Sequence, residues 1–267
     1  GQRALTDAAH FTGGLRHAEV FTESYPGGFA RSRRGLSELT DTMRFGYSCL
    51  LTGARQRIGD RAGAVAARYL APRALKHIGV IGTGIQARFQ VRLLASETTC
   101  RSVLVWGRSK TRAEETCRDI EKLGLGFTAG ACGSPREVAA EARLIVTTTS
   151  ASAPILWHTD IHPGTHINAV GADGLGKQEL DLEICALADL CVADSRQQCV
   201  EFGELSHACN ASKLSPDSVV ELGDLILEPG ARRRGGDGDQ RVTVFDSTGV
   251  GIQDVAIASM VLGALRR

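Results

Sequence analysis

The amino-acid sequence predicts an α/β protein built on a doubly wound parallel sheet. Three observations carry that expectation. From Leu75 onward, short apolar runs alternate with helical patterns, the rhythm of βαβ units. The first apolar run leads into a glycine-rich turn, Gly82-Thr83-Gly84-Ile85-Gln86-Ala87. The 267 residues, 43% of them hydrophobic, suffice for a sizeable core in one large or two modest lobes, and two lobes are expected.

The elements follow in order. The Ala-rich stretch AGAVAARYLA (62–71) has a helical pattern and ends at Ala71-Pro72, a connector into the first strand. HIGVIG (His77 to Gly82) reads as a buried strand and Ile85 to Ala95 as its helix. SVLVW (Ser102 to Trp106) is the second strand, followed by a charged helix over Thr111 to Lys122. A weaker third strand is expected near Gly126 to Gly130, with a helix over Ser134 to Ala140. RLIVTTT (Arg143 to Thr149), THINAV (Thr165 to Val170) and LCVAD (Leu190 to Asp194) bring the strands to six, which fits a doubly wound sheet. EPGARRRGGDGDQR (Glu228 to Arg241) reads as an exposed loop, VTVFD (Val242 to Asp246) as a strand, and VGIQDVAIASMVLGAL (Val250 to Leu265) as a closing helix with an apolar face. ESYPGGFARSRRGLSEL (Glu23 to Leu39) has turn signals but no period, and no structure is assigned to it.

Composition narrows the partners. Lys+Arg of 31 against Asp+Glu of 30 gives a net charge of +1, so nothing points to nucleic acid or an anionic membrane, and small molecules are the expected partners. No apolar stretch reaches membrane-span length, and GQRALTDAAHFTGG lacks the layout of a secretory signal, so a cytoplasmic location is expected. The eight cysteines are scattered without a CxxC pair, which suits reduced thiols. His158, His162 and His166 recur every fourth residue, but Pro163-Gly164 breaks any helix that would align them, so no metal is expected. No nucleophile-base motif of hydrolase type stands out.

The glycine turn carries the chemistry. In this GxGxxA pattern the first glycine permits the tight turn, the second lets backbone approach a pyrophosphate, and the small third residue lets helix pack on strand. The phosphates would meet the amides at the helix N-terminus, where the macrodipole favours negative charge. The motif in this setting makes the sheet a Rossmann domain and Gly82, Thr83, Gly84, Ile85, Gln86 and Ala87 dinucleotide contacts. At the end of the second strand, where a carboxylate would accept bonds from the adenosine ribose, the sequence has Gly107-Arg108-Ser109-Lys110. Arg108, Ser109 and Lys110 suit a 2′-phosphate, so NADP(H) is the preferred cofactor and NAD(H) the alternative.

GTHINAVGADGLGKQELD (Gly164 to Asp181), ADSRQQCVEFGELSHA (Ala193 to Ala208) and DSTGVGIQDVA (Asp246 to Ala256) agree in order and spacing with the ornithine cyclodeaminase/mu-crystallin family, which the last three-quarters of the chain strongly resembles. The resemblance implies a dinucleotide-binding domain (71–245), a second lobe from the N-terminal segment and C-terminal helix (1–70 plus 246–267), and a homodimer joined through that lobe. It also implies hydride exchange between a nicotinamide and the α-carbon of a small amino or imino acid. A cyclic ketimine reductase acting on Δ1-pyrroline-2-carboxylate is the favoured member type, with DSTG inclining slightly that way. Ornithine cyclodeaminase, alanine dehydrogenase and a non-catalytic binder of mu-crystallin type are the alternatives.

The resemblance places the catalytic acid/base on Asp173, at the carboxyl end of THINAV, where ligands of such sheets gather. Chemistry agrees, because hydride addition to an imine carbon leaves a nitrogen needing a proton, and a carboxyl in a water-poor site can supply it. Lys177 and Glu179 share the loop, and either could orient Asp173 or remain solvated; Lys177 is also a substrate-binding candidate. The resemblance further implies cofactor contacts at Thr147, Thr148 and Thr149, at Asn168 to Gly171 with Val170 and Gly171 among them, and at Ser247, Thr248 and Gly249. Asp194 and Glu204 match family positions, for which capping and hinge packing are adequate explanations. His207 could approach substrate, with capping the simpler role.

The front of the chain departs from the family pattern. A carboxylate substrate needs a fixed cation. Counting back from Gly82, the family arginine falls on Ile58, so Arg57 and Arg61 are the substrate-binding candidates. No lysine precedes Lys76, and Arg31, Arg33 and Arg34 are the remaining basic residues weighed as compensation.

Overall fold

The run IGVI at residues 78–81 is apolar at every position that carries a side chain, the composition of a strand covered on both faces. In the computed structural model, which describes residues 62–228, 230 and 239–249, these residues form β1 (Ile78–Ile81) at the centre of an eight-stranded sheet. A helix over residues 62–70, α1, precedes it. There follow α2 (Ile85–Leu94), β2 (Ser102–Trp106), α3 (Lys110–Glu121), β3 (Thr128–Ala131), α4 (Pro135–Glu141), β4 (Leu144–Thr147), β5 (Ser152–Leu156) and β6 (His166–Ala169). After them come β7 (Gln178–Leu180), α5 (Leu182–Leu187), β8 (Leu190–Ala193), α6 (Arg196–Phe202), α7 (Leu205–Asn210), β9 (Val220–Glu221), α8 (Leu222–Leu227) and β10 (Thr243–Asp246).

The sheet order is β3-β2-β1-β4-β6-β10-β8-β9, and every pair is parallel. Ile78 stands opposite Val103 on one side and Leu144 on the other. The chain leaves β1 toward β2 and β3, then returns through β4 to the opposite side. Connections therefore diverge between β1 and β4, opening a crevice at the carboxyl ends of those strands. The late strand β10 lies between β6 and β8, leaving β8 and β9 as the outer pair.

Alternation along the strands divides the core. Ile78, Val80, Val103, Val105, Leu144 and Val146 pack with α1, α2 and α3, through Ala64, Ala67, Val91, Leu94, Ala113 and Ile120. Ile81, Ile145, Ile167 and Val244 pack on the other face with Val138 of α4, with Ala142 just after it, and with residues of α5, α6 and α7. Ala62, Ala66 and Leu70 of α1 join Val192, Phe245 and Leu225 in a third cluster. The alanines of α1 let it lie close on the sheet, where Asn168 Nδ2 donates to the Gly63 carbonyl at 2.9 Å. Asn168 in turn meets buried His166, whose Nδ1 lies 2.8 Å from Thr243 Oγ1. The expected connector is thus a helix seated on the sheet.

Side chains set the helix starts. Ser109 caps α3 by accepting from the Arg112 amide, and Ser134 caps α4 by accepting from the Glu137 amide, with Pro135 in the first turn. Three short strands were not expected. β5 contains Pro154 and exposed Ser152, β7 has three residues around a buried glutamate, and β9 has two residues; none has the alternation that marks a strand. β5 and β7 form a separate two-stranded parallel ladder. The third sheet strand starts at Thr128, two residues later than expected, because TAGA has no bulky residue to mark it. Among the described residues no helix is long and apolar enough to cross a membrane. The closing helix expected from Val250, most of the 228–241 loop, and Arg57 and Arg61 lie outside the described residues.

Candidate active site

The glycine turn joins β1 to α2 at the crevice. Gly82 has φ of +135°, and a β-carbon there would sit 2.3 Å from Thr148 Oγ1, so only glycine fits this point. A β-carbon on Gly84 would meet nothing within 4 Å, which leaves a backbone face that a phosphate can approach. The ten-residue helix α2 carries no acidic side chain in its first turn and no side-chain cap, so its leading amides suit an anion. Ala87 is fully buried, as the third motif position requires. The residues present fit a dinucleotide pyrophosphate.

Arg88, which sequence reasoning missed, fixes the turn from behind. Its Nη1 donates to the Thr83 carbonyl at 3.1 Å and to the Gly84 carbonyl at 3.0 Å, while Nε donates to Asp119 at 2.8 Å. With those carbonyls engaged by the guanidinium, the opposite face of the turn presents N–H groups. The signal was its position, four residues after Gly84 on the helix. Ile85 is exposed at the mouth of the turn, and Gln86 is half-buried.

At the end of β2 the Thr83 side chain leans on Gly107, where a β-carbon would lie 2.4 Å from Thr83 Cγ2. Arg108, Ser109 and Lys110 are all exposed, and α3 has no acidic residue in its first turn. Arg108 and Lys110 make no ion pair with a described residue.

The three threonines at the end of β4 part company. Thr147 is buried and its hydroxyl donates to Glu179 Oε2 at 2.6 Å. Thr148 faces Gly82, and its amide donates to the Ile81 carbonyl. The Thr149 amide donates to Glu179 Oε1 at 2.5 Å. Across the crevice floor, the Val170 amide donates to the Thr147 carbonyl at 3.1 Å and the Gly171 amide to Glu179 Oε2 at 3.0 Å. Glu179 therefore makes no direct bond to Asp173, nor is it a solvated turn charge. It lies on β7, fully buried, and burial pushes its carboxyl above the ordinary glutamate value against the Thr147 and Thr149 bonds that favour the charge.

Asp173 follows β6 on a turn that also carries Leu175 and Lys177. Its carboxylate pairs with the Lys177 ammonium, so Lys177 is the residue of that loop that holds it. The expected water-poor setting is not what the described residues provide, since the Asp173 side chain is 55% exposed. The turn connects β6 to the short ladder strand β7, and Asp173, Leu175 and Gly176 on it are exposed to water. His207 Nε2 donates to the Lys177 carbonyl at 2.9 Å, tying the same turn to α7.

Asp194 holds the segment after β10. Its Oδ2 accepts from Ser247 Oγ and from the Gly249 amide, each at 2.8 Å, and its Oδ1 accepts from the Ser195 amide at 2.7 Å and the Thr248 amide at 3.4 Å. The N-cap of α6 is Ser195, and the Asp194 carboxylate instead brings Ser247, Thr248 and Gly249 onto the carboxyl edge of the sheet. Behind the crevice, buried Glu204 accepts from the Glu179 and Leu180 amides, and fully buried Asp246 accepts from the Leu205 amide at 3.0 Å. Burial raises Glu204 well above its ordinary value and pushes Asp246 up to about 7. The three histidines diverge: His158 pairs with Asp181, His162 lies in the turn ahead of β6, and His166 is buried in the sheet.

Iminosuccinate reductase of Paracoccus denitrificans is 38% identical over 203 residues, which cover 75% of this chain and 60% of that protein. Its solved structure, in complex with NAD+, matches with a TM-score of 0.68 over 76% of this chain and 62% of that one, at 36% identity. Alanine dehydrogenase of Archaeoglobus fulgidus is 36% identical over 201 residues, 75% of this chain and 60% of that protein. A Δ1-pyrroline-2-carboxylate reductase structure from Thermococcus litoralis, in complex with NADH and L-proline, matches with a TM-score of 0.68 at 26% identity, covering 76% of this chain and 63% of that one. The chain spans about 60% of the length of these relatives. The family model for ornithine cyclodeaminase/mu-crystallin matches residues 38–266, and with these relatives it shows that the chain belongs to the ornithine cyclodeaminase/mu-crystallin family.

Proposed function

We propose that this protein is a nicotinamide-dependent oxidoreductase of the carbon-nitrogen bond in a small imino acid, with a cyclic ketimine such as Δ1-pyrroline-2-carboxylate as model substrate. The observation that carries the reading is the arrangement of the crevice. An anion-accepting glycine turn lies on one side of the β1–β4 divergence, and the Asp173–Lys177 pair follows the neighbouring strand β6. When bound, the nicotinamide exchanges a hydride with the substrate α-carbon. The amides of Gly84 to Ala87 hold the pyrophosphate, Gly82 shaping the turn while its own amide donates to the Trp106 carbonyl, and Arg108, Ser109 and Lys110 hold a 2′-phosphate, which favours NADP(H) over NAD(H). Thr148, Thr149, Val170, Gly171, Ser247 and Gly249 border the nicotinamide half.

Asp173 delivers the proton that the imine nitrogen needs once hydride has added to carbon. Bound substrate takes this carboxyl out of water. Lys177 keeps it oriented until then and can turn to the substrate carboxylate, which Arg57 or Arg61 clamps. A homodimer is the proposed assembly; an archaeal alanine dehydrogenase of this fold is described as a dimer. The 36% identity to an alanine dehydrogenase supports a second reading, reductive amination of pyruvate.

The experiment is to follow the nicotinamide absorbance band with purified protein, NADPH or NADH, and either Δ1-pyrroline-2-carboxylate, iminosuccinate, or pyruvate with ammonia. Stoichiometric oxidation with a cyclic imine that Asp173→Asn abolishes is the expected result. Ammonia release from ornithine with catalytic NAD+ would make it a cyclodeaminase, and NADPH binding without turnover of any substrate would leave a dinucleotide-binding protein.

A further inference from the structure

The hydrogen-bond ladder between β4 and β6 ends at the crevice. Its register runs from Leu144 opposite His166 to Thr147 opposite Ala169, and the Val170 amide to the Thr147 carbonyl is its last backbone rung. Beyond that rung, strand twist would let the two chain segments separate. These segments carry Thr149 on one side and Gly171, two residues before Asp173, on the other.

We infer that Glu179 is a positioning residue for the reaction: its carboxylate replaces the missing rungs and so fixes the Asp173 turn against the nicotinamide side of the crevice. The inference rests on the function proposed above. Oε1 takes the Thr149 amide from the β4 side at 2.5 Å. Oε2 takes the Gly171 amide from the β6 side at 3.0 Å and the Thr147 hydroxyl at 2.6 Å. The fit leaves no slack, because a β-carbon on Gly171 would stand 2.5 Å from the Glu179 carboxyl carbon and 2.4 Å from the Thr149 carbonyl oxygen. The clamp is itself anchored. The Glu179 amide donates to both Glu204 oxygens, at 3.1 and 3.0 Å, and the Leu180 amide donates to Glu204 Oε1 at 2.7 Å.

Two details distinguish a positioning role from ordinary core packing. A buried carboxylate is a costly way to fill space, whereas a carboxylate offers two acceptor oxygens in a fixed plane that can bridge two strand ends. The bridge also sits where error matters, since displacing a reacting group by about 1 Å can lower a rate by about 100-fold. Gly171 sets the direction in which the chain leaves β6 toward Asp173.

Glu179→Gln keeps the size but turns one acceptor into a donor facing an amide or the Thr147 hydroxyl. The test compares wild type and Glu179→Gln by thermal melting, by NADPH fluorescence titration, by amide hydrogen exchange at residues 147–149 and 170–173, and by steady-state kinetics with NADPH and NADPH deuterated at the transferred position. The expected result is a folded variant with NADPH affinity within about 3-fold of wild type and faster exchange confined to the two strand ends. Its kcat should be about 10-fold to 100-fold lower with KM little changed, and the deuterium isotope effect on kcat should rise as hydride transfer becomes limiting. Thr147→Val, which removes one donor and leaves both amides, should show the same pattern at smaller amplitude and serves if Glu179→Gln does not fold. A variant that loses stability while its kcat and isotope effect stay at wild-type values overturns the inference and leaves Glu179 structural. Wild type that neither binds a nicotinamide nor reduces an imine overturns the proposed function and this assignment with it.

Discussion

The α-carbon of Gly82 rests against Thr148, so closely that a methyl group on it would fall 2.3 Å from the threonine hydroxyl. Contact between the end of β1 and the end of β4 is what brings the glycine turn to the mouth of the crevice. Gly82→Ala should therefore fail twice, through the collision and through φ of +135°, with a destabilisation of about 1–3 kcal/mol and loss of NADPH binding. Gly84→Ala meets no neighbour and has φ of −75°, so it should melt like wild type while binding NADPH more weakly. Melting and fluorescence titration on the two variants check the contrast; equal behaviour would refute it.

Arg88 engages two carbonyls of the turn, and Asp119 holds it. Arg88→Ala should raise the Kd for NADPH about 10-fold while changing stability by no more than about 1 kcal/mol, because its ion pair is partly solvent-exposed. Isothermal titration on a variant shown to be folded measures this. An unchanged Kd would mean that the turn holds its shape without the guanidinium.

The proposed preference for NADP(H) rests on Arg108. Arg108→Ala should weaken NADPH about 10-fold and leave NADH unaffected, since only the former brings a 2′-phosphate to the end of β2. Parallel titrations with both nucleotides test it, and equal loss for the two would assign Arg108 to something other than the 2′ position.

Buried carboxyls give the fold a pH dependence of defined sign. Burial pushes Asp246 up to about 7 from an ordinary value of 3.8, so the folded protein holds that proton more tightly than the unfolded chain. The stability it contributes is complete below about 4 and is lost as pH rises toward 7. Glu179 and Glu204, both raised by burial, act in the same direction, while Asp181, lowered despite its partial burial by bonds from His158 and Glu183, acts against them. Asp246→Asn cannot ionise, so the difference in melting temperature between it and wild type should move in favour of the variant as pH goes from 4 to 8. A difference that stays constant across that range would show that Asp246 is not titrating there.

The parts of the fold legible in the sequence are those with unambiguous periodicity. IGVI, SVLVW and LIVT could be read as strands because their apolar residues face helices on both sides, and the serines at 109 and 134 mark helix starts. Local pattern could not reveal what depends on distant partners. Glu179 in a Gly-Lys-Gln-Glu-Leu stretch looks like a turn charge until Thr149 and Gly171 are brought to it by strands made earlier in the chain. Asp194 looks like a cap until the segment after β10 arrives. Asp173 was identified by resemblance, but its exposure and its pairing with Lys177 could be read only from the structure.

The central place of β10 has a bearing on how the chain is made. The β8 and β9 strands leave the ribosome well before residues 243–246, yet without those residues they have nothing to join, and β6 keeps a bare edge. Nascent chains therefore pass through an interval in which the β6 edge and the unattached β8–β9 pair are a sticky, unfinished surface, the kind that chaperones shield and that drives aggregation when they are scarce. Nonsense mutations upstream of Thr243 should produce insoluble fragments rather than shortened but folded proteins.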